Sequence, residues 1–353
     1  MTGLSKNAVC EGALLNSDLP NADCSDAERL AAEFFGKVGQ AKLLSGEKDL
    51  NFHIRSNEGA GYVLKISNSV ESPLVADMQN EALLHIERQD SGLAVPRVQR
   101  TVTSSTQHIH VLDGHRHIIR LLSYLPGKPL HETAVSVAQL DAQARYLARL
   151  GLALKDFSHP AADHTILWDI KRADTLRPIV SAIRDLERQK LVLRAIDGFM
   201  LYAQPHQMRA RSQVIHNDFN PHNILVDPAH PDCICGVIDF GDLVHTALIN
   251  DVATAASYYT YSTEHPLAAA AQFLAAYHQV NPLLCDEVDV LFDLIAVRHA
   301  MLVAITEWRA ARYPENRDYI CKNTNRAALG LAKFAQIPRI EAINMFRHAC
   351  NME

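Results

Sequence analysis

Short stretches in which apolar and polar residues alternate dominate the first third of the chain. Ala41-Lys42-Leu43-Leu44-Ser45, Leu50-Asn51-Phe52-His53-Ile54-Arg55 and Tyr62-Val63-Leu64-Lys65-Ile66-Ser67 carry strand character. Turn residues separate them, Gly46-Glu47-Lys48-Asp49 and Asn57-Glu58-Gly59-Ala60-Gly61, which predicts a three-stranded meander. Ahead of it, residues 1–25 are polar and aperiodic and read as a mobile lead-in. Asp26 to Phe35 reads as a short helix, with Ser25 as N-cap and Glu28 at the capping-box position. After the meander, Met78, Ala82 and Ile86 are spaced for one face of a helix over Asp77 to Gln89, which ends before Gly92 and Pro96. Two more strands follow, His108 to Leu112 and His117 to Tyr124, joined across Asp113-Gly114, a dipeptide suited to a tight hairpin.

The pattern then changes. Leu125-Pro126-Gly127-Lys128-Pro129 holds two prolines within a few residues and breaks regular structure. Beyond it, Ser136 is placed to cap a helix with Gln139 in the box position, and Val137, Leu140, Ala144, Leu147, Gly151 and Leu154 mark its apolar stripe. Asp185 to Tyr202 reads as another helix, Val214 to Phe240 as short strands and turns, and the chain from about Ile249 onward as mostly helical. The expected organisation is a lead-in (1–25), a small β-rich lobe (26–124), a hinge (125–129) and a larger helical lobe (130–353), an α+β class.

Composition narrows the function. The 353 residues include 40 acidic and 34 Lys or Arg, a net charge of −6, which argues against broad duplex nucleic-acid binding. The seven Cys are odd in number and scattered, without zinc-ligand spacing, and read as reduced thiols of a cytoplasmic protein; Cys233-Ile234-Cys235 fits a strand. Glu11 interrupts the only apolar stretch near the start, so no signal-peptide core is expected there. His265 to Cys285 lacks formal charge but contains two His, two Gln, an Asn and two Pro, which a bilayer core would not accept, so no membrane partner is expected.

The candidate chemistry lies in the β-rich interlude, His216-Asn217-Asp218-Phe219-Asn220-Pro221-His222-Asn223 followed by Ile238-Asp239-Phe240-Gly241-Asp242. An Asp beside a hydroxyl can orient it and accept its proton, while an Asn amide oxygen and a second carboxylate can hold Mg²⁺ against nucleotide phosphates. Asp218, Asn223 and Asp239 have the residue types for phosphoryl transfer.

These segments resemble the catalytic loop and metal-binding segment of the aminoglycoside phosphotransferase and choline kinase superfamily, relatives of the protein kinases. The resemblance implies a protein-kinase-like two-lobe fold, with Asp218 as the catalytic Asp and Asn223 with Asp239 as the Mg²⁺ pair. Asn217 stands where the family often has Gly, and His216 is expected to hold the loop by hydrogen bonding rather than to act as a base. Lys65 stands where the family places the lysine on the α/β-phosphates, and Glu81 where its ion-pair partner is expected. The turn after the first strand has a single Gly, so phosphate contact there would use backbone N–H groups with Ser45 or Asn51. Leu122 and Ser123 are expected beside the nucleotide base, at the edge of the hinge. Nothing in the sequence separates ATP from GTP.

Within the superfamily, Asp49-Leu-Asn-Phe-His-Ile, Tyr62-Val-Leu-Lys-Ile-Ser-Asn, Leu122-Ser-Tyr-Leu-Pro-Gly and Tyr313-Pro-Glu-Asn look like the hydroxylysine kinase branch, which implies an amino-bearing alcohol or hydroxy amino acid as acceptor. That branch includes a GTP-using enzyme. Acceptor-pocket candidates are Trp168, Asp169, Tyr258, Tyr259, Asp242, Arg298, Glu307, Trp308, Arg309 and Arg312, because a carboxylate or aromatic face suits an ammonium group and a forked Arg suits a carboxylate. An aminoglycoside, choline/ethanolamine or homoserine kinase would share the apparatus. A non-catalytic nucleotide-binding regulatory module is the rival from another class.

Overall fold

A computed structural model describes residues 20–46, 48–134, 136–261 and 263–352. The meander forms as β1 (Gly39–Leu44), β2 (Leu50–Ser56) and β3 (Gly61–Ile66), each antiparallel to the next. β3 then pairs with β6 (His115–Ser123), which is flanked by β4 (Val98–Gln99) and β5 (His108–Leu112) to complete a six-stranded antiparallel sheet. The β5–β6 turn takes positive φ at both Asp113 and Gly114, the geometry for which that dipeptide is suited.

Alternation assigns the two faces of the sheet. Phe52, Ile54, Leu64, Ile66, Ile119 and Leu121 pack on α1 (Cys24–Phe35) through Ala27, Leu30, Ala31 and Phe35. The intervening residues, Lys65 and Arg120 among them, therefore face the other way, toward α2 (Pro73–Gln89). Met78, Ala82, Leu83 and Ile86 of α2 belong to a second core, continuous with the helical part of the molecule.

α1 begins earlier than its pattern predicts. The N-cap is Asp23, not Ser25, with Asp26 rather than Glu28 closing the box: Asp23 Oδ1 accepts from the Asp26 N–H at 3.0 Å and Asp26 Oδ2 from the Asp23 N–H at 3.2 Å. Glu28 instead accepts from the Ala41 N–H at 2.8 Å, which ties the helix to β1. Most of the expected lead-in, residues 1–19, lies outside the described residues.

The segment after residue 124 bends into the helical part as β7 (Lys128–Pro129), which joins β9 (Ile224–Val226) and β10 (Ile234–Val237) in a three-stranded sheet. Ser136 caps α3 (Val137–Leu154) with the expected Gln139 box. Val137, expected in its apolar stripe, is 70% exposed, while Leu140, Ala144, Leu147, Gly151 and Leu154 are buried. α4 covers Leu186–Gly198 with Asp185 as N-cap, and the predicted continuation to Tyr202 is a π-helical turn. β8 (Ser212–Ile215) pairs with β11 (Val244–Ala247), and α5 (Ile249–Thr260), α6 (Pro266–His278), α7 (Cys285–Arg312), α8 (Thr324–Phe334) and α9 (Arg339–Ala349) follow. α7 runs through the middle of this bundle, against α4, α5, α8 and α9. The described cysteines are free thiols, and among the described residues no helix is long and apolar enough to cross a membrane.

Candidate active site

Two loops meet at the mouth of the helical part. One joins β8 to β9 and carries His216, Asp218 and Asn223; the other follows β10 and carries Asp239 and Asp242. The Ile238 N–H donates to the Asn223 carbonyl at 2.9 Å, so Asp239 is one residue from a direct bond between the loops. The Asp218 carboxylate is clamped by two amides: Asn220 Nδ2 donates to Oδ1 at 2.9 Å and Asn223 Nδ2 to Oδ2 at 2.7 Å. Burial and the negative charges of Asp242 and Asp239 push its carboxyl up to about 7, against the pull of Arg298 and Asn220.

His216 is buried, its Nε2 facing the Ile238 carbonyl at 3.2 Å while Nδ1 accepts from the Asp218 N–H at 3.3 Å. These partners leave the ring no proton to exchange with an acceptor in the cleft, and burial holds its pKa below the usual imidazole range. Behind the loop, the Asp251 carboxylate of α5 accepts from the His216 and Asn217 N–H groups at 3.2 and 2.8 Å.

Asn217 sits at φ +63 with both atoms of its buried amide unpartnered. The left-handed backbone is the physical reason Gly suits this position. Asn217→Gly is therefore expected to equal or exceed the parent in stability, while Asn217→Ala loses about 1–2 kcal/mol through left-handed strain. Urea unfolding midpoints check the order.

Mg²⁺ commonly takes one or two carboxylates plus substrate phosphates, not an all-protein cage. Among the described residues no group of three His, Cys, Asp or Glu forms such a cage. The donor set at the loops suits the former arrangement. Asn223 has its amide nitrogen committed to Asp218, which leaves its oxygen for a cation, and Asp239 is an exposed carboxylate at φ +64 that, among the described residues, accepts only a 3.3 Å bond from the Gly241 N–H.

The sheet side of the cleft departs from expectation at Glu81. The ion-pair partner of Lys65 is Asp49, with Nζ–Oδ2 at 3.3 Å. The inward positions of α2 are taken by Gln79, whose Nε2 donates to the Gly241 carbonyl at 3.4 Å, and by Asn80, while Glu81 is half-buried and outside the Lys65 pair. Gly46 is required by space: a Cβ there would lie 2.3 Å from the Asp49 carbonyl oxygen and 2.5 Å from Asn51 Nδ2. Asn51 Oδ1 is buried without a partner, and Ser45 is exposed. Lys48, on the same turn, reaches across the cleft to Asp242 at 3.0 Å. Burial works to raise the Asp242 carboxyl, but the Lys48 charge and hydrogen bond, with the charges of Arg298 and His216, together outweigh it and hold the group below its ordinary value. Leu122 is buried, and Ser123 turns its hydroxyl to the Arg97 N–H at 2.8 Å.

Loss of Lys65 is expected to cost far more than loss of a cation elsewhere near the hinge. Lys65→Ala should lower kcat/KM by about a hundredfold, as removal of one charge-stabilising donor does. Lys128→Ala should be milder, since that ammonium is exposed and pairs only loosely with Glu132 at 3.8 Å. Matching kinetics for the two variants would place Lys65 outside the phosphate site.

The acceptor candidates separate in space. Arg298 is 3% exposed on α7, donates to the Trp168 carbonyl at 2.9 Å, lies over the Trp168 ring at 5.3 Å and keeps a buried Nε without a partner. Its positive charge works to lower the carboxyls of Asp218, Asp242 and Asp251. Tyr258 is beside it, with its hydroxyl pKa raised by burial and then by the Asp218 charge. The other residues are drawn elsewhere. Glu307 pairs with Arg317 at 2.8 Å, Arg312 stacks on Trp308 at 4.9 Å, and Arg309 lies toward the far end of α7. Asp169 caps the turn at Ile170 and accepts from Thr246, and Tyr259 bonds Gln143 in the core.

Pattern reading passed over Asn220, Asp251, Asp49 and Arg120. Arg120 left a visible signal, a lone charge inside Ile118-Ile119-Arg120-Leu121-Leu122. Asp251 left a weaker one, at the start of an otherwise apolar helix.

Comparison with known proteins gives the family. Residues 40–283 match the Phosphotransferase enzyme family. Hydroxylysine kinase of Mus musculus is 28% identical over 320 residues, covering 84% of this chain and 85% of its own length, and that of Danio rerio is 24% identical over 335 residues, covering 91% and 94%. Among solved structures, a microcompartment-associated aminopropanol kinase superposes with a TM-score of 0.70 at 18% identity over 89% of this chain and 97% of its own. The amicoumacin kinase hAmiN, in complex with AMP-PNP, Ca²⁺ and Ami, gives 0.67 at 16% identity over 91% and 97%. With a kinase-like fold, the paired loops at its cleft and a family match over more than half its length, this chain belongs to the Phosphotransferase enzyme family and is an alcohol-acceptor phosphotransferase.

Proposed function

We propose that the protein transfers the γ-phosphoryl group of ATP or GTP to the hydroxyl of hydroxylysine or a close hydroxy amino acid. The carrying observation is the Asp218 carboxylate, held between Asn220 and Asn223 at the cleft with the Arg298 guanidinium beside it. Asp218 orients the acceptor hydroxyl and takes its proton, Lys65 neutralises α/β-phosphate charge, and Asn223 with Asp239 supplies the oxygens that would hold Mg²⁺. A bound divalent cation would neutralise charge on the transferring phosphoryl group. Catalysis then rests on positioning and electrostatics, with no covalent enzyme intermediate.

The acceptor reading draws on charge. The Asp218 and Asp242 carboxylates suit an ammonium group, the forked Arg298 with its uncommitted Nε suits a carboxylate, and both lie at one pocket. The hydroxylysine kinases, which match over most of their length, support the same acceptor class.

A panel of acceptors with ATP and GTP tests this. Hydroxylysine is expected to exceed choline and kanamycin-like amines in kcat/KM by more than about tenfold, the equivalent of one added hydrogen-bonded contact. If choline or an aminoglycoside wins by that margin, the acceptor is reassigned. An amino alcohol without a carboxylate in first place would return Arg298 to holding Trp168.

A further inference from the structure

Lys65 and Arg120 are direct partners in the β3–β6 register, so their side chains leave the sheet on the same face. Like charges set opposite each other repel, and the arrangement persists only with anions close by. Arg120 is 4% exposed, and among the described residues its buried Nε has no partner and its guanidinium makes one hydrogen bond, a long 3.5 Å contact from Nη1 to the Ala76 carbonyl. No carboxylate touches it as a contact ion pair among the described residues; burial works against its charge, and the negative charges of Asp49, Glu71 and Asp239 work to keep it. A buried guanidinium is costly unless its charge is answered, so the position needs a reason. Asp49 supplies one, since the same carboxylate bonds Lys65 at 3.3 Å. Burial and the Asp49 charge push the Glu71 carboxyl up, while Arg120 pulls it down.

We propose that Arg120 is a positioning residue for the nucleotide phosphates: its buried charge holds Asp49 on the β1–β2 turn, and Asp49 in turn sets Lys65, in the place expected for Glu81 on α2. The inference rests on the phosphotransferase reading above. Its consequence is a phosphate site organised by the turn and the sheet, with the register of β3 on β6 deciding where Lys65 points.

Four single variants of the full chain, Arg120→Met, Arg120→Lys, Asp49→Asn and Glu81→Gln, and the double variant Arg120→Met with Asp49→Asn test it. Each is followed by KM for Mg-nucleotide, kcat, melting temperature and calorimetric nucleotide affinity without acceptor. Arg120→Met is expected to raise the nucleotide KM and weaken affinity by more than about tenfold, with a smaller fall in kcat. Arg120→Lys should recover most of the loss, because a point charge suffices for the role. Asp49→Asn should match Arg120→Met, the double variant should be no worse than the poorer single, and Glu81→Gln should lose less than Asp49→Asn. The proposal fails if Met serves and Lys does not, which would make Arg120 a packing residue, or if Glu81→Gln is the more damaging. It also fails if Asp49→Asn tightens nucleotide binding, which would make Asp49 a competitor of the phosphates. Should Arg120→Met not fold, Arg120→Lys and Asp49→Asn decide. A parent protein without turnover on any acceptor would overturn the functional reading instead, and the calorimetric comparison would still judge Arg120.

Discussion

Asp218→Asn should lower turnover by about a thousandfold, within the range that a positioned acid–base group contributes, while nucleotide affinity stays close to that of the parent. The expectation follows from the location of the carboxylate, bracketed by Asn220 and Asn223 with both oxygens engaged. An Asn side chain keeps the shape but offers one acceptor where the carboxylate offers two. It therefore loses proton affinity and one of its clamping bonds together. Single-turnover kinetics with saturating nucleotide, set beside calorimetric affinity, separates the effects. An equal loss of nucleotide affinity would move Asp218 to the metal side of the site.

The second large effect should come from Asp239→Asn. Turnover is expected to fall on the order of a thousandfold, and Mg-nucleotide binding to weaken with it, because a metal clamp supplies several kcal/mol of charge stabilisation. The fold should survive. Asp239 is exposed at φ +64, a conformation Asn tolerates well, and among the described residues its carboxylate accepts one hydrogen bond, from the Gly241 N–H. The two variants thus differ in signature: loss of Asp218 acts on the acceptor step, loss of Asp239 on nucleotide and metal as well. Near-normal turnover of a folded Asp239→Asn protein would end the metal assignment.

Strands and helices were legible wherever one face is buried. The meander, the Asp113-Gly114 hairpin and the Ser136–Gln139 box each rest on residues close in sequence, and each appears within a few residues of its expected place. Errors gathered at ends. Ser25 and Asp23 are both competent caps, and the choice went to Asp23 because Asp26 reciprocates while Glu28 is drawn to Ala41. Val137 fits the stripe of α3 but lies in its first turn, where it stays in solvent.

In the site, the short-range part was equally readable. Asp218 and Asn223 meet because one tight loop carries both, and Asp239 joins them because adjacent short strands bring its segment alongside. The ion pairs were not readable. That Lys65 meets Asp49 and not Glu81, that Arg120 stands beside Lys65, and that Arg298 meets the Trp168 carbonyl while Glu307 turns to Arg317 all depend on strand register and helix rotation. Those are set by hundreds of small apolar contacts between segments far apart in the chain, whereas a single charge pair is worth too little to leave a pattern of its own. Periodicity and turn chemistry thus specify which elements form and which loop carries the candidate residues; only packing across the sheet and along α7 selects which charges meet there.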